Sequence, residues 1–464
     1  MSEPVPTCPH CLELLERIAA LEQQVRDLQA RLGQNATNSS VPPSANPPDA
    51  PRPVVKKRTG KSTGAQLGHP GSSRLRLPPE RLTHLIALIP DRCEQCQAPL
   101  PAQADPGDPQ PSWHQFAELP RQTAVVTEFQ GHARTCSCCG HVTRERIPAT
   151  IRAQTFGPRL AAALGYLSGC QHVSQRGLED IAESLFDVPV SLGSINTLQE
   201  QLSEALRPPH QEIAEVVQQA EVKYVDETGW KQAGQKRWLW TAVTRSAVYF
   251  LVQLGRGAKA LHNVVGPVIR GVICSDRWTT YQRIPLSQRQ ICWAHLKRDF
   301  QAMVDRGGAG ATIGADLLDC TTILFGLWYK VRDGTRSRRW LRGQLERLRG
   351  EVQALLAQGA ACGCAETAGT CAKMLEVEEA LWTFARVEGL EPTNNAAERA
   401  LRPAVLRRKR SFGNHSAAGC EYVGRLLSVV QTLKAQGRSV LDYLQAAIEA
   451  HRHGLPIPML FHTT

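Results

Sequence analysis

Leu14, Ile18, Leu21, Val25, Leu28 and Leu32 recur at spacings of 4, 3, 4, 3 and 4. That is the seam of a heptad repeat, and it predicts a short coiled coil over 11–33. Three heptads are marginal alone, so self-association through them is expected to be weak. The apolar signal then stops. Residues 34–75 are rich in Pro, Ser, Asn and Gly around a basic centre, "RPVVKKRTGK", which predicts a linker. Helical periodicity returns over 156–206 in "SQRGLEDIAESLF" and "SLGSINTLQEQLSEAL", separated by "DVPV". Ser191 suits an N-cap, and Ser194, Asn196, Thr197 and Gln199 lie along the exposed turns of the second helix. The pair resembles a helix-turn-helix, although an ordinary helical pair gives the same string.

From 221 the pattern changes to short β-rich runs. "EVKYVDETGW" reads as a strand ending at Asp226, and "RWLWTAVT" and "AVYFLVQL" continue an antiparallel meander. "AKALHNVVGPVI" is helical, "GVICSD" is a strand ending at Asp276, and "RQICWAHLKRDFQAMV" is a short strand passing into a helix. Three strands, a helix and a fourth strand predict an α/β, RNase H-like core in which the first strand lies beside the fourth. Residues 310–388 are Leu-, Ala- and Arg-rich and read as a helical insertion. The expected organisation is a coiled coil (11–33), a linker (34–75), a cysteine-bearing domain (76–150), a helical region (151–215), a core (216–305) with an insertion (306–388), the core's last part (389–450) and a tail (451–464).

Charge changes the picture. The 464 residues carry a net +11, which favours a polyanionic partner, nucleic acid first. No apolar run approaches a membrane span, the best being "LAAALGYLSGC", and the N-terminus lacks the order of a signal peptide, so a cytoplasmic protein without membrane contact is expected. Fifteen cysteines in such a chain point to thiols and metal ligands before disulfides. Cys93 and Cys96 form one CxxC pair, and "CSCC" supplies Cys136 and Cys139 as a second. Four thiolates suit a tetrahedral structural zinc, with "TAVVTEFQGHART" as the hairpin of a zinc-ribbon-like domain. Cys138 is the spare thiol, His132 and His141 are weaker substitutes, and Cys8 and Cys11 make a lone pair.

Acidic residues give the sharper signal. "PTNNAAERALRPAVLRRKR" holds Glu398 among six cations, Arg399, Arg402, Arg407, Arg408, Lys409 and Arg410. In-line phosphodiester cleavage needs charge stabilised on both the attacking and the leaving oxygen, which two Mg²⁺ ions (or Mn²⁺) roughly 4 Å apart achieve when carboxylates hold them. Asp226, Asp276 and Glu398 are the candidate ligands. Each also has a bland reading: a strand-end turn residue, a turn cap, and a capping box with Asn395. The cations suit backbone phosphates, with Arg402 on the helix face of Glu398; Pro403 is expected to end that turn, placing Arg407 to Arg410 on a following element. His295 reads as a satisfied structural histidine, and Lys297 has no assigned role.

The strings "YVDETGW", "CSDRWTTY", "CWAHLKRDF" and "TNNAAERALRPAVLRRKRSFGN" resemble the signature blocks of insertion sequence 66 family transposases, a DDE-type group. "ARLGQNATNSSVPPSANPP" and the paired cysteines are similar to the family's N-terminal parts. The resemblance implies that Asp226, Asp276 and Glu398 are a DDE triad that cleaves DNA at element ends and joins the 3′-hydroxyl to target DNA. It also implies an oligomer acting on double-stranded DNA with small accessory proteins of the same element. "CSCC" departs from the family's single cysteine pair. The rivals are an RNase H-like nuclease without strand transfer and a catalytically inactive zinc-containing DNA-binding protein.

Overall fold

The computed structural model describes residues 9–32, 76–103, 105–120 and 124–461. Cys8 and the whole of the predicted linker, 34–75, lie outside the described residues. The chain divides into two units, Arg52–Thr123 and the remainder, Met1–Pro51 with Ala124–Thr464. In the smaller unit a 3₁₀ turn at Pro79–Arg81 and an isolated bridge between Arg92 and Pro99 are the regular features among its described residues. There the Gln115 side chain bonds both backbone groups of Leu77 (2.9 and 3.0 Å).

The larger unit begins with α1 (Pro9–Leu32), on which Leu14, Ile18, Leu21 and Val25 are exposed. β1 (Ala133–Thr135) and β2 (Val142–Arg144) form a small antiparallel pair. The predicted ribbon strand is shorter than expected, because residues 124–132 have no partner strand and pairing starts only at Ala133. Helices α2 (Ala149–Arg152), α3 (Pro158–Cys170), α4 (Gln175–Phe186), α5 (Leu192–Ala205) and α6 (Arg207–Gln219) follow. Ser174 and Ser191 cap α4 and α5 by accepting the Gly177 and Ser194 N–H groups.

The sheet comprises β3 (Val222–Gln232), β4 (Gln235–Val243), β5 (Val248–Gln253), β6 (Val272–Ser275) and β7 (Arg289–Ile291), in the order β5-β4-β3-β6-β7. β3 is antiparallel to β4 and parallel to β6, and β6 is parallel to β7. α7 (Ala258–Val265) supplies the crossover from β5 to β6. β3 does not stop at Asp226. It runs six residues further because β4 pairs with it to Gln232↔Gln235, through a two-residue turn whose Ala233 and Gly234 both have positive φ. Edge strand β5 is covered by α13 (Ala417–Ala435), whose Thr432 and Ser428 hydroxyls accept the Val248 and Phe250 N–H groups (3.0 and 2.8 Å).

After β7 come α8 (Trp293–Arg306), α9 (Ala309–Arg332), α10 (Arg338–Ala360), α11 (Ala365–Leu375), α12 (Asn395–Ser411), α13 and α14 (Val440–Arg452). α8 to α11 pack on one another, so the expected insertion is helical. Contrary to the expectation from the sequence, α9 is long and apolar enough, by length and composition, to cross a membrane. Its buried positions Gly310, Gly314, Leu317, Cys320, Thr321, Leu324 and Trp328 form one stripe against α8 and α10, the pattern of a bundle helix. Pro403 does not end its helix either. α12 continues to Ser411, because Leu401 and Ala404, before and after the proline, are buried and Arg407 and Arg408 further on are tied to α3 and β3.

Candidate active site

Parallel pairing sets Tyr224 of β3 against Cys274 of β6. Two residues further along each strand path stand Asp226 and Asp276. The start of α12 is fastened to the same place. Asn394 donates its backbone N–H to Cys292 Sγ (3.1 Å) and its side-chain amide to Val225 O (2.8 Å). Cys292 N–H donates to Ser275 O and Trp293 N–H to Pro392 O, both at 2.9 Å. The neighbours of Asp226, Asp276 and Glu398 thus share one hydrogen-bonded knot. Burial pushes the Asp226 carboxyl well above the usual carboxylate range, and the charges of Glu227, Asp276 and Glu398 push it further the same way. Like charges gathered this closely are relieved either by a proton or by a cation. Oxygen donors of this kind suit a hard divalent ion.

Glu398 is not half of a capping box. The N-cap is Asn394, whose side chain is turned to β3, and the Glu398 carboxylate faces His295 Nδ1 (3.7 Å) and Arg298 (3.8 Å). His295 is not the satisfied histidine that its sequence context suggests: its buried Nδ1 has no hydrogen-bond partner. Burial, then the Arg298 charge, lower its pKa. Cys292 Sγ, a His295 ring nitrogen and a Glu398 oxygen lie within 4.8 Å of one another and could hold a metal ion. Burial pushes the Cys292 thiol up to about 11, so among these three the carboxylate and imidazole are the readier donors.

Sequence reasoning missed a second acidic group. Glu227 is buried beside Asp226, accepting from Tyr281 OH (2.5 Å) and from Arg256 Nε. Arg256 also reaches Asp276 (4.0 Å) and stacks on the Trp278 and Trp238 rings (3.9 and 4.8 Å). "DETGW" held the only sequence signal for Glu227. No spacing pointed to Arg256.

A family model described as "Transposase IS66 family" matches residues 153–422, which include all three carboxylates. The chain belongs to that family. A second model, described as a family of unknown function (DUF6444), matches residues 9–75. Over 251 residues the chain is 26% identical to an uncharacterized protein, y4qI, of Sinorhizobium fredii (strain NBRC 101917 / NGR234). That stretch is 48% of this chain and 45% of the relative, so the chain spans under half of the curated relative it matches.

The six cations of α12 fall into two groups. Arg407 donates to Ser168 O (2.6 Å), and Arg408 to Thr228 Oγ1 (2.8 Å) and Gly229 O, so they brace α12 against α3 and β3. Arg399, Arg402, Lys409 and Arg410 are exposed.

The cysteine pairs lie on different units of the chain, and each folds as the same tight turn. Cys93 N–H bonds Ala98 O and Gln97 N–H bonds Cys93 O; Cys136 N–H bonds His141 O and Gly140 N–H bonds Cys136 O. Gln97 and Gly140, the matching fifth positions, both have positive φ. The backbone N–H groups of Cys96 and Gln95 pull the Cys93 thiol down, and those of Cys139 and Cys138 do the same for Cys136. Turns that aim N–H groups at a sulfur favour thiolate, the metal-binding form.

Proposed function

We propose that the protein cleaves DNA at the ends of its insertion sequence and joins the freed 3′-hydroxyl to target DNA, with Asp226, Asp276 and Glu398 as the metal-binding triad of an RNase H-like core. The observation that carries this reading is the gathering of the three carboxylates at the ends of neighbouring parallel strands and the first turn of α12, close enough for Asp276 and Glu398 to raise the Asp226 pKa. The order β5-β4-β3-β6-β7, with β3 beside β6, supports the RNase H-like assignment. Divalent cations held there supply positive charge to the attacking and leaving oxygens. The chain's own residues do the rest. Arg256, bound to Glu227 and stacked on two tryptophans, holds a fixed positive edge beside Asp276, and the exposed Arg399 and Arg402 lie next to Glu398 for backbone phosphates.

The same turn at Cys93/Cys96 and at Cys136/Cys139 supports zinc-binding thiolates at each pair, with Cys138 outside the set. The exposed apolar seam of α1 supports self-association, and accessory proteins of the element are the further expected partners.

The test compares wild type with Glu398→Gln on a labelled duplex carrying the element's end, with Mg²⁺. Cleavage and joining by wild type, lost in the variant while duplex binding persists, is the expected result. Equal activity in both would remove Glu398 from the triad. Cleavage without joining of a pre-cut end would favour the nuclease reading.

A further inference from the structure

A groove of about 780 Å³ opens on the side of the larger unit where the start of α4, the exposed face of α5, the last turn of α12 and the start of α13 meet. Its walls carry His172, Arg176, Arg407, Arg410 and His415, and none of these pairs with a carboxylate among the described residues. Arg407 is the telling member. Its guanidinium is largely enclosed, Nη1 is spent on the Ser168 carbonyl, and the buried Nε has no hydrogen-bond partner. His172 Nδ1 beside it is buried and unpartnered as well. A desolvated cation facing unused donors, with no acid to neutralise it, is a costly arrangement unless an anion completes it. Two helix starts point the same way: Ser174 of α4 and Ser416 of α13 each cap one N–H group, leaving the positive ends of both helices at the groove. The groove also has acidic residues. Glu204 and Glu421 are both taken by Arg425 (2.8 and 2.7 Å), which leaves Glu200 as the acid at that end without an ion pair among the described residues.

The geometry points to a second phosphate-binding site, in which this groove grips the backbone of the same DNA duplex that is held at the carboxylates. α12 is the ruler between them. Glu398 stands in its first turn and Arg407 and Arg410 in its last, nine and twelve residues on, which at 1.5 Å per residue is roughly 14 to 18 Å. Phosphates along a DNA strand rise about 3.4 Å per step, so the groove meets the backbone about four or five nucleotides from the phosphate at Glu398. The inference rests on the DNA-acting reading above and adds to it the surface that sets the duplex's direction.

The test measures duplex binding in EDTA, where no metal-dependent chemistry contributes. Fluorescence anisotropy of a labelled duplex is followed against KCl for wild type, for Arg176→Glu/Arg410→Glu, and for Arg342→Glu/Arg347→Glu on the exposed face of α10, which changes net charge equally. Arg176 and Arg410 are exposed and make no hydrogen bond among the described residues, so their loss leaves the fold intact. Removing one cation from a DNA phosphate makes the log–log salt slope shallower by about one, so the groove variant should lose about two and bind roughly tenfold or more weakly. The α10 variant should keep the wild-type slope. Equal slopes for groove and α10 variants, or no change in either, overturn the proposal. A thermal shift by millimolar inorganic phosphate that disappears in the groove variant, with duplex slopes unchanged, also overturns it and makes the site one for a free anion. Strand transfer by wild type alongside an unchanged groove variant would sink this inference and leave the transposase reading standing. No duplex binding by wild type would sink both.

Discussion

His210 on α6 stands against β5, its Nε2 2.9 Å from the Phe250 carbonyl and its ring 4.8 Å from that of Tyr249. Burial lowers its pKa to about 4 from an ordinary 6.5. Between those values the unfolded chain binds a proton that the folded one refuses. Stability from this residue is therefore present above pH 6.5 and is lost as pH falls toward 4, at about 1.4 kcal/mol per pH unit, or about 3 kcal/mol in all. In His210→Gln the amide takes over the hydrogen bond without titrating. Thermal midpoints at pH 7 and 4.5 should separate more in wild type than in the variant; an equal separation would mean that acid acts elsewhere. At this scale the sequence was a partial guide. Strand and helix periodicity located Asp226 on β3, Asp276 at the end of β6 and Glu398 on α12, and their role as a triad stays with the proposal above, whereas Glu227, Arg256 and Tyr281 meet only where β3, the β5–α7 loop and the segment after β6 come together in the tertiary fold.

Among the elements, β6 depends on one backbone position. Gly271 has φ +62°, and a Cβ there would lie 2.2 Å from the Glu221 carbonyl oxygen, the acceptor of the Val272 N–H (2.7 Å) that seats β6 beside β3. Gly271→Ala meets both the left-handed backbone and that clash, at a cost of about 2 kcal/mol or more. Urea unfolding should show the loss. DNA joining should fall further than stability alone accounts for, because Asp276 is placed by this strand. Retained joining with lowered stability would mean that the carboxylate's position tolerates a shifted strand. The strands, crossover helix and helical insertion were readable from period and turn residues. Two boundaries and the character of one helix were not, each for a tertiary reason. Asp226 reads as a strand end only until β4 pairs beyond it. Pro403 reads as a stop only without the anchors of Arg407 and Arg408. The apolar length of α9 reads as a bundle helix only once α8 and α10 are seen against it.

For the molecule as a whole, a net charge of +11 and the exposed Leu14, Ile18, Leu21 and Val25 on α1 are the features that reach beyond any one element, and the two cysteine turns are where the proposed zinc bears on folding. The two turns share one hydrogen-bond pattern, and in each the first thiol is lowered by the N–H groups that follow it. Around Cys93 and Cys136 few apolar side chains are buried, while Leu85, Ile86, Leu88 and Ile89 stand exposed, so packing does little to hold these segments. A metal ion contributes folding free energy where a core does not. Metal analysis of the purified chain should therefore find bound zinc. Cys93→Ser and Cys136→Ser should each lower the zinc content and raise protease sensitivity around the altered turn, while Cys138→Ser should keep it. Zinc retained in Cys136→Ser but lost in Cys138→Ser would exchange those two thiols. Zinc absent from wild type would leave both turns as free-thiol loops, and the folding of this region would then have to come from another chain or from DNA.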